Sequence, residues 1–191
     1  MHHAMSDFLL DIVHNSVQAG SPVTEVVLVE SASVFDMSVH DTGSGMDEAE
    51  VIRAQDPFGT DAAKHPVRNV GLGLPFLVQL LSDTDGSFRI ESKKGRGTDV
   101  WFSFNLNHVD TPPMGNLVDV LVLLMSFDGE YELTVRRTKR REESAGVRPG
   151  SCSYELRRSL LTGVLGELQS VSSRGLLHEY IRSQEENLDD C

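Results

Sequence analysis

Residues 70–76 read Val70-Gly71-Leu72-Gly73-Leu74-Pro75-Phe76, two glycines set directly before an apolar run that continues to Leu81. Proline is accepted in the first turn of a helix, where its missing N–H would have no partner. Pro75 therefore marks a helix start, and Gly71 and Gly73 form the loop that enters it. The first amides of a helix are unpaired and carry a partial positive charge, which suits an anion such as phosphate. Glycine lets that anion approach the backbone closely. A Gly-x-Gly before a helix is common, so its meaning depends on what the rest of the chain places around it.

Composition sets the outer limits. The chain has 191 residues, 39% of them apolar, enough for one large domain or one domain with an appendage. The net charge of −12 argues against general nucleic-acid binding, which requires an excess of Lys and Arg. The longest apolar stretch, 118–125, contains Asp119 and is far too short to span a bilayer, so no membrane role is expected. Cys152 and Cys191 lack metal-ligand spacing, and residues 1–5 carry no signal pattern. A cytoplasmic setting fits.

Working outward from the glycines, residues 7–19 have helical periodicity with Ser6 as the expected N-cap, and Asp11 and Asn15 lie one turn apart on the same face. Residues 24–30 and 33–40 alternate as an antiparallel pair of strands. Asp41-Thr42-Gly43-Ser44-Gly45-Met46 breaks the second strand into a glycine loop, and an acidic helix start follows at 47–54. Residues 55–69 show no periodicity and read as a long loop of the kind that serves as a lid. Two more strands, 87–92 and 98–105, flank the basic turn Lys93-Lys94-Gly95-Arg96-Gly97. Residues 109–115, with two prolines, read as a linker between a first domain, 1–108, and a small C-terminal region, 116–191. In that region 117–127 is β-like in composition, Asp128-Gly129 is a hairpin signal, and 130–137 alternates. Helices are expected from Tyr154 to about 168 and over 173–187. The region could form its own core or pack on the first domain. The basic run 136–141 reads as a charged hairpin end, or as a docking site for an acidic partner.

Asp11-x-x-x-Asn15 on a helix, Asp41-x-Gly-x-Gly45 after a strand, a long loop, Gly71-x-Gly73 before a helix, and Gly95-Arg96-Gly97-Thr98 before a strand stand in one order. In that order the chain resembles the GHKL, or Bergerat-fold, ATPases, the group of gyrase B, the large heat-shock chaperones, histidine kinases and MutL. Residues 10–19 look like the N box and 41–46 like the G1 box. Asp56-Pro57-Phe58-Gly59-Thr60 is similar to the F box, and Gly71-Leu72-Gly73-Leu74 matches the G2 box. The details look closest to histidine kinase catalytic domains and anti-sigma-factor serine kinases.

The resemblance implies an α+β two-layer sandwich, a mixed sheet with helices on one face, followed here by a β-hairpin plus helices. It implies ATP and Mg²⁺ as ligands, with Asn15 on the metal. Asp41 would meet the adenine amine, with Gly43, Gly45 and Met46 walling the base. Gly71, Leu72, Gly73 and Leu74 would line the phosphates, with Thr60 in the loop and Thr98 behind the base. Asp11 stands where ATP-hydrolysing members usually carry Glu, one methylene longer, and is the candidate catalytic residue. Ten residues precede Asp11, so a helical phosphoacceptor domain is not expected within this sequence. Two functions follow: a signalling kinase or ATP-dependent regulator whose phosphoacceptor is a separate protein, or an interaction module that senses ATP without turnover. Homodimerisation is left open.

Overall fold

The N-terminal helix α1 (Met5–Gln18) carries Phe8, Leu9, Ile12 and Val13 on one buried face. It begins one residue before Ser6, the expected cap. The Met5 and Ser6 amides donate to the carbonyls of Pro113 and Met114 at 3.0 Å, and the Asp7 carboxylate accepts the Ala4 amide. The stretch 109–115 thus closes the start of α1, satisfying amides that a helix leaves open. The computed structural model describes residues 4–56, 73–141 and 150–190, and within them the chain forms six strands and six helices.

Strands β1 (Val23–Glu30) and β2 (Val34–Asp41) pair antiparallel, as their alternation predicts, and β4 (Gly97–Asn105) lies antiparallel to β2. β3 (Ser87–Lys93) forms the edge beside β4. Helix α2 (Glu48–Gln55) follows the loop after β2, its first turn capped by Asp47, whose carboxylate accepts the Glu50 amide at 2.9 Å. Helix α3 (Gly73–Asp83) precedes β3.

The C-terminal region packs on this sheet and extends it. β5 (Glu132–Arg141) runs parallel to β1, and β6 (Gly150–Arg157) pairs antiparallel with β5, giving the order β3-β4-β2-β1-β5-β6. Among the described residues the helical layer covers one face only. Val26, Leu28, Phe35, Met37, Val39, Phe102, Phe104, Leu133 and Val135 all point into it, and one core runs from α1 to the final helix. The architecture is an α+β two-layer sandwich with a mixed sheet. Burial of each such side chain stabilises by roughly 1.5–3 kcal/mol.

Two expectations for the C-terminal region are corrected. Residues 117–127 do not form a strand: α4 (Leu117–Met125) occupies the stretch, and the Asn116 side chain accepts the Asp119 amide at 3.1 Å as its cap. Leu117, Val120, Leu121, Leu124 and Met125 are buried. A helix wedged between neighbours is apolar on most sides, which removes the periodicity that would identify it. Asp128-Gly129 is consequently not a hairpin turn. The helix expected from Tyr154 starts later, since β6 continues to Arg157 before α5 (Arg158–Leu165), and the second expected helix is α6 (Val171–Asp189).

Within the basic run, Arg137 turns inward while Arg136, Arg140 and Arg141 stay exposed. Arg137 is buried, paired with Glu30 and 3.4 Å from Glu185 of α6, and its guanidinium lies over the Phe35 ring. Lys139 holds Asp189 at 2.5 Å, and Arg136 holds Glu155 at 2.8 Å. Of these charges only Arg137 is buried, and a buried charge persists where it is paired in this way.

Candidate functional site

The ends of β1, β2 and β4 meet beneath α1. Asp41 is the last residue of β2, opposite Thr24 on one side and Thr98 on the other. Its carboxylate is buried, with 6% exposure. One oxygen accepts the Gly43 amide at 2.7 Å, and the other accepts the Ser16 hydroxyl from α1 at 3.3 Å. A carboxylate offers about four acceptor positions, so these two bonds fix its orientation and leave acceptor capacity. A Cβ at position 43 would stand 2.9 Å from that carboxylate. Glycine is what lets the backbone approach the carboxylate this closely.

The two glycine loops interlock through backbone. Gly45, at φ +62°, lies where a Cβ would meet the Lys93 carbonyl at 2.1 Å. Gly97, at φ +103°, lies where one would meet the Asp41 carbonyl oxygen at 1.8 Å. The Gly95 amide donates to Ser44 at 2.7 Å. Ser92, which the sequence reading passes over, ties the set together. Its hydroxyl accepts the Met46 amide at 2.8 Å, donates to the Gly97 carbonyl at 3.0 Å and lies 2.9 Å from the Thr98 hydroxyl. Met46 and Thr98 are therefore joined through Ser92.

On α1, Asn15 is half-buried, and its side-chain amide makes no hydrogen bond to a described residue. Asp11 is exposed one turn earlier and reaches the start of α3, where a Cβ on Gly73 would meet its Oδ2 at 2.4 Å. Gly73 is the first described residue of that helix, and the Leu74 side chain packs against the core. Asp11 and Asn15 on one helix, Asp41 at the strand end, and Gly73 at a helix start thus surround one end of the sheet. Among the described residues no cluster of three or more His, Cys, Asp or Glu is arranged to hold a metal. A cation at Asn15 would take most of its oxygen ligands from phosphate and water, the usual habit of Mg²⁺. Thr60, Gly71 and Leu72, the rest of 57–60, and the loop side chains Lys64, His65 and Arg68 lie outside the described residues.

Sequence reasoning missed Ser16, Ser21 and Ser92. Ser16 carried a signal, a hydroxyl on the otherwise apolar stripe Phe8, Ile12, Ser16. Ser21 accepts the Thr42 amide at 3.0 Å and donates to the Val23 carbonyl at 2.7 Å, pinning the base of the loop. The opposite face of the sheet carries a shallow cavity of about 220 Å³ between Val27, Val29, Trp101 and Ser103, which none of the candidate residues lines.

Comparison with known proteins assigns the family. Residues 3–108 match the family of histidine kinase-, DNA gyrase B- and HSP90-like ATPases. The match covers more than half of the chain, and the chain belongs to that family. It is 31% identical over 97 residues to Sporulation kinase C of Bacillus subtilis (strain 168), covering 49% of this chain and 22% of that protein. It is 28% identical over 105 residues to a putative sensor protein of Shewanella frigidimarina (strain NCIMB 400), covering 53% of this chain and 16% of the relative. The alignments thus span less than a quarter of each curated relative. Among solved structures, the catalytic domain of histidine kinase ThkA aligns with 52% of this chain and 63% of its own, at 17% identity and a TM-score of 0.34.

Proposed function

We propose that the chain binds ATP with Mg²⁺ and acts as a signalling kinase or ATP-dependent regulator on a separate protein. The observation that carries the reading is the buried Asp41 carboxylate, fixed by Gly43 and Ser16 with acceptor capacity to spare. A fixed acceptor of this kind suits the exocyclic amine of adenine. Gly43, Gly45 and Met46 border the base, Thr98 stands behind it, and Asn15 offers a hard amide oxygen to the metal. The bound cation would supply neutralisation of phosphate charge. Gly73, with Gly71, Leu72 and Leu74, would present the α3 amides to phosphate. Asp11 would accept a proton from the attacking hydroxyl or water. The acceptor protein would contact residues 116–191, where Leu160 and Val164 on α5 and Leu176 and Tyr180 on α6 are exposed.

A second reading, binding without turnover, is favoured by one observation. The Asp11 carboxylate is drawn against Gly73 at the start of α3, and it is a methylene shorter than the Glu of hydrolysing relatives. Calorimetric titration with ATP, with and without Mg²⁺, followed by single-turnover assays with labelled ATP, separates the possibilities. Binding with phosphate release or a labelled acceptor supports the kinase or ATPase reading. Tight binding with neither supports the sensor, and no binding overturns both. Asn15→Ala is expected to lose the Mg²⁺-dependent part of the affinity; unchanged affinity would remove Asn15 from the metal.

A further inference from the structure

Phe127 lies beyond the stretch that matches the family, on the connection from α4 to β5, yet it reaches the candidate site. Its ring centroid is 5.0 Å from that of His14, the residue immediately before Asn15. Asp11, His14, Asn15 and Gln18 are spaced i, i+3, i+4 and i+7, so they share one face of α1. The His14 Nε2 lies 3.2 Å from the Gln18 side-chain nitrogen, one turn further along the helix. Asp11 lies almost one turn the other way. The imidazole is therefore held toward Gln18, with the Phe127 ring against it.

Phe127 is itself fixed. Its carbonyl accepts from Arg158 at 3.3 Å and from Gln169 at 3.4 Å. The same guanidinium donates to the Met125 and Tyr131 carbonyls at 3.1 Å and lies 4.2 Å over the Tyr131 ring. The Tyr131 hydroxyl donates to the Leu124 carbonyl at 2.6 Å. The open carbonyls at the end of α4 are thus bonded, and the loop that presents Phe127 is tied to α5 and to the turn before α6.

We infer that Phe127 is a positioning residue for the metal end of the site, keeping His14 off Asp11 and Asn15. This rests on the reading that Asn15 and Asp11 serve a Mg²⁺–nucleotide. Side chains three apart on a helix are neighbours. An imidazole no longer held by Phe127 pairs with the Asp11 carboxylate and crowds Asn15, which weakens metal-dependent binding. The C-terminal region is thereby part of the site, acting through one aromatic ring.

The test is calorimetric titration of the full chain with a non-hydrolysable ATP analogue, in Mg²⁺ and in EDTA. It compares the unaltered chain, Phe127→Ala, Gln18→Ala, His14→Ala and the Phe127→Ala/His14→Ala double variant. Phe127→Ala is expected to lose about tenfold in affinity with Mg²⁺ and little without it, the scale at which groups orienting a metal ligand commonly act. Gln18→Ala, an exposed change, shifts affinity the same way and decides the matter if Phe127→Ala does not fold. Removing His14 from the Phe127→Ala chain restores affinity, which a merely structural loss would not allow. Unchanged Mg²⁺-dependent affinity in both single variants, equal loss with and without Mg²⁺, or no restoration by His14→Ala overturns the inference alone. Failure of the unaltered chain to bind overturns it together with the nucleotide reading.

Discussion

The Ser16 hydroxyl stands 3.3 Å from the Asp41 carboxylate, joining the helical layer to the end of β2. Ser16 also donates toward the Ile12 carbonyl at 3.2 Å, so its contact with Asp41 is shared. The firmer bond to Asp41 is the Gly43 amide at 2.7 Å. Asp41→Asn would keep an oxygen for that amide and turn an NH₂ group toward the base. Two donors would then face each other where adenine presents its amine. The expected outcome is a loss of roughly 1.5–3 kcal/mol, or about 10–100-fold, for ATP, with a smaller loss for GTP. Titration with both nucleotides checks it, and equal losses would count against base recognition by Asp41.

Gly95 and Gly97 sit in one turn, both at positive φ, and their replacements should differ sharply. At 95 a Cβ meets nothing within 4 Å, whereas at 97 it would lie 1.8 Å from the Asp41 carbonyl oxygen. Gly95→Ala should cost only the left-handed backbone strain, about 1–2 kcal/mol. Gly97→Ala should cost several kcal/mol or prevent folding, because β2 and β4 cannot both keep their places. Urea unfolding of the two variants provides the comparison; similar midpoints would contradict the interlocked loops.

Tyr154 on β6 gives an alkaline signature. Its hydroxyl donates to Glu185 at 2.5 Å, and burial first, then the Glu185 charge, holds its pKa well above the ordinary 10.0. The folded chain keeps the proton at a pH where the unfolded chain releases it. The stabilising contribution is therefore complete below pH 10 and declines as pH rises above it, by about 1.4 kcal/mol per unit. Tyr154→Phe should flatten this decline, measured as urea midpoints from pH 9 to 11. Tyr131, also raised by burial, leaves a residual slope. An unchanged slope in Tyr154→Phe would mean the hydroxyl does not stay protonated.

The first half of the chain was legible because its elements obey local rules. β1 and β2 alternate, glycines mark the loops at 43–45 and 95–97, and α1 has one apolar face. The second half obeys tertiary rules. α4 is apolar on most sides because α1 and α6 flank it, so composition alone reads as strand, although Asn116 and Asp119 carried the capping signal. In β6 the alternation of Cys152, Tyr154 and Leu156 is present, but from Tyr154 it merges with the helical pattern of α5, which hides the boundary at Arg157. At the site, Asp11, Asn15 and Asp41 could be named from spacing. Ser92 and Phe127 could not, since each acts through a partner distant in sequence.

The parallel pairing of β5 with β1 has a practical consequence for anyone who trims the chain. Cut after residue 108, it would retain Asp11, Asn15, Asp41 and both glycine loops but lose Phe127, and β1 would become an open edge along all eight of its residues. The cover that Leu133, Val135 and α4 give the core would go with it. A long unpaired edge over exposed apolar side chains recruits other copies. The shortened fragment would aggregate, or pair β1 against β1, and a catalytic assay on it would report on that association instead of on the nucleotide pocket.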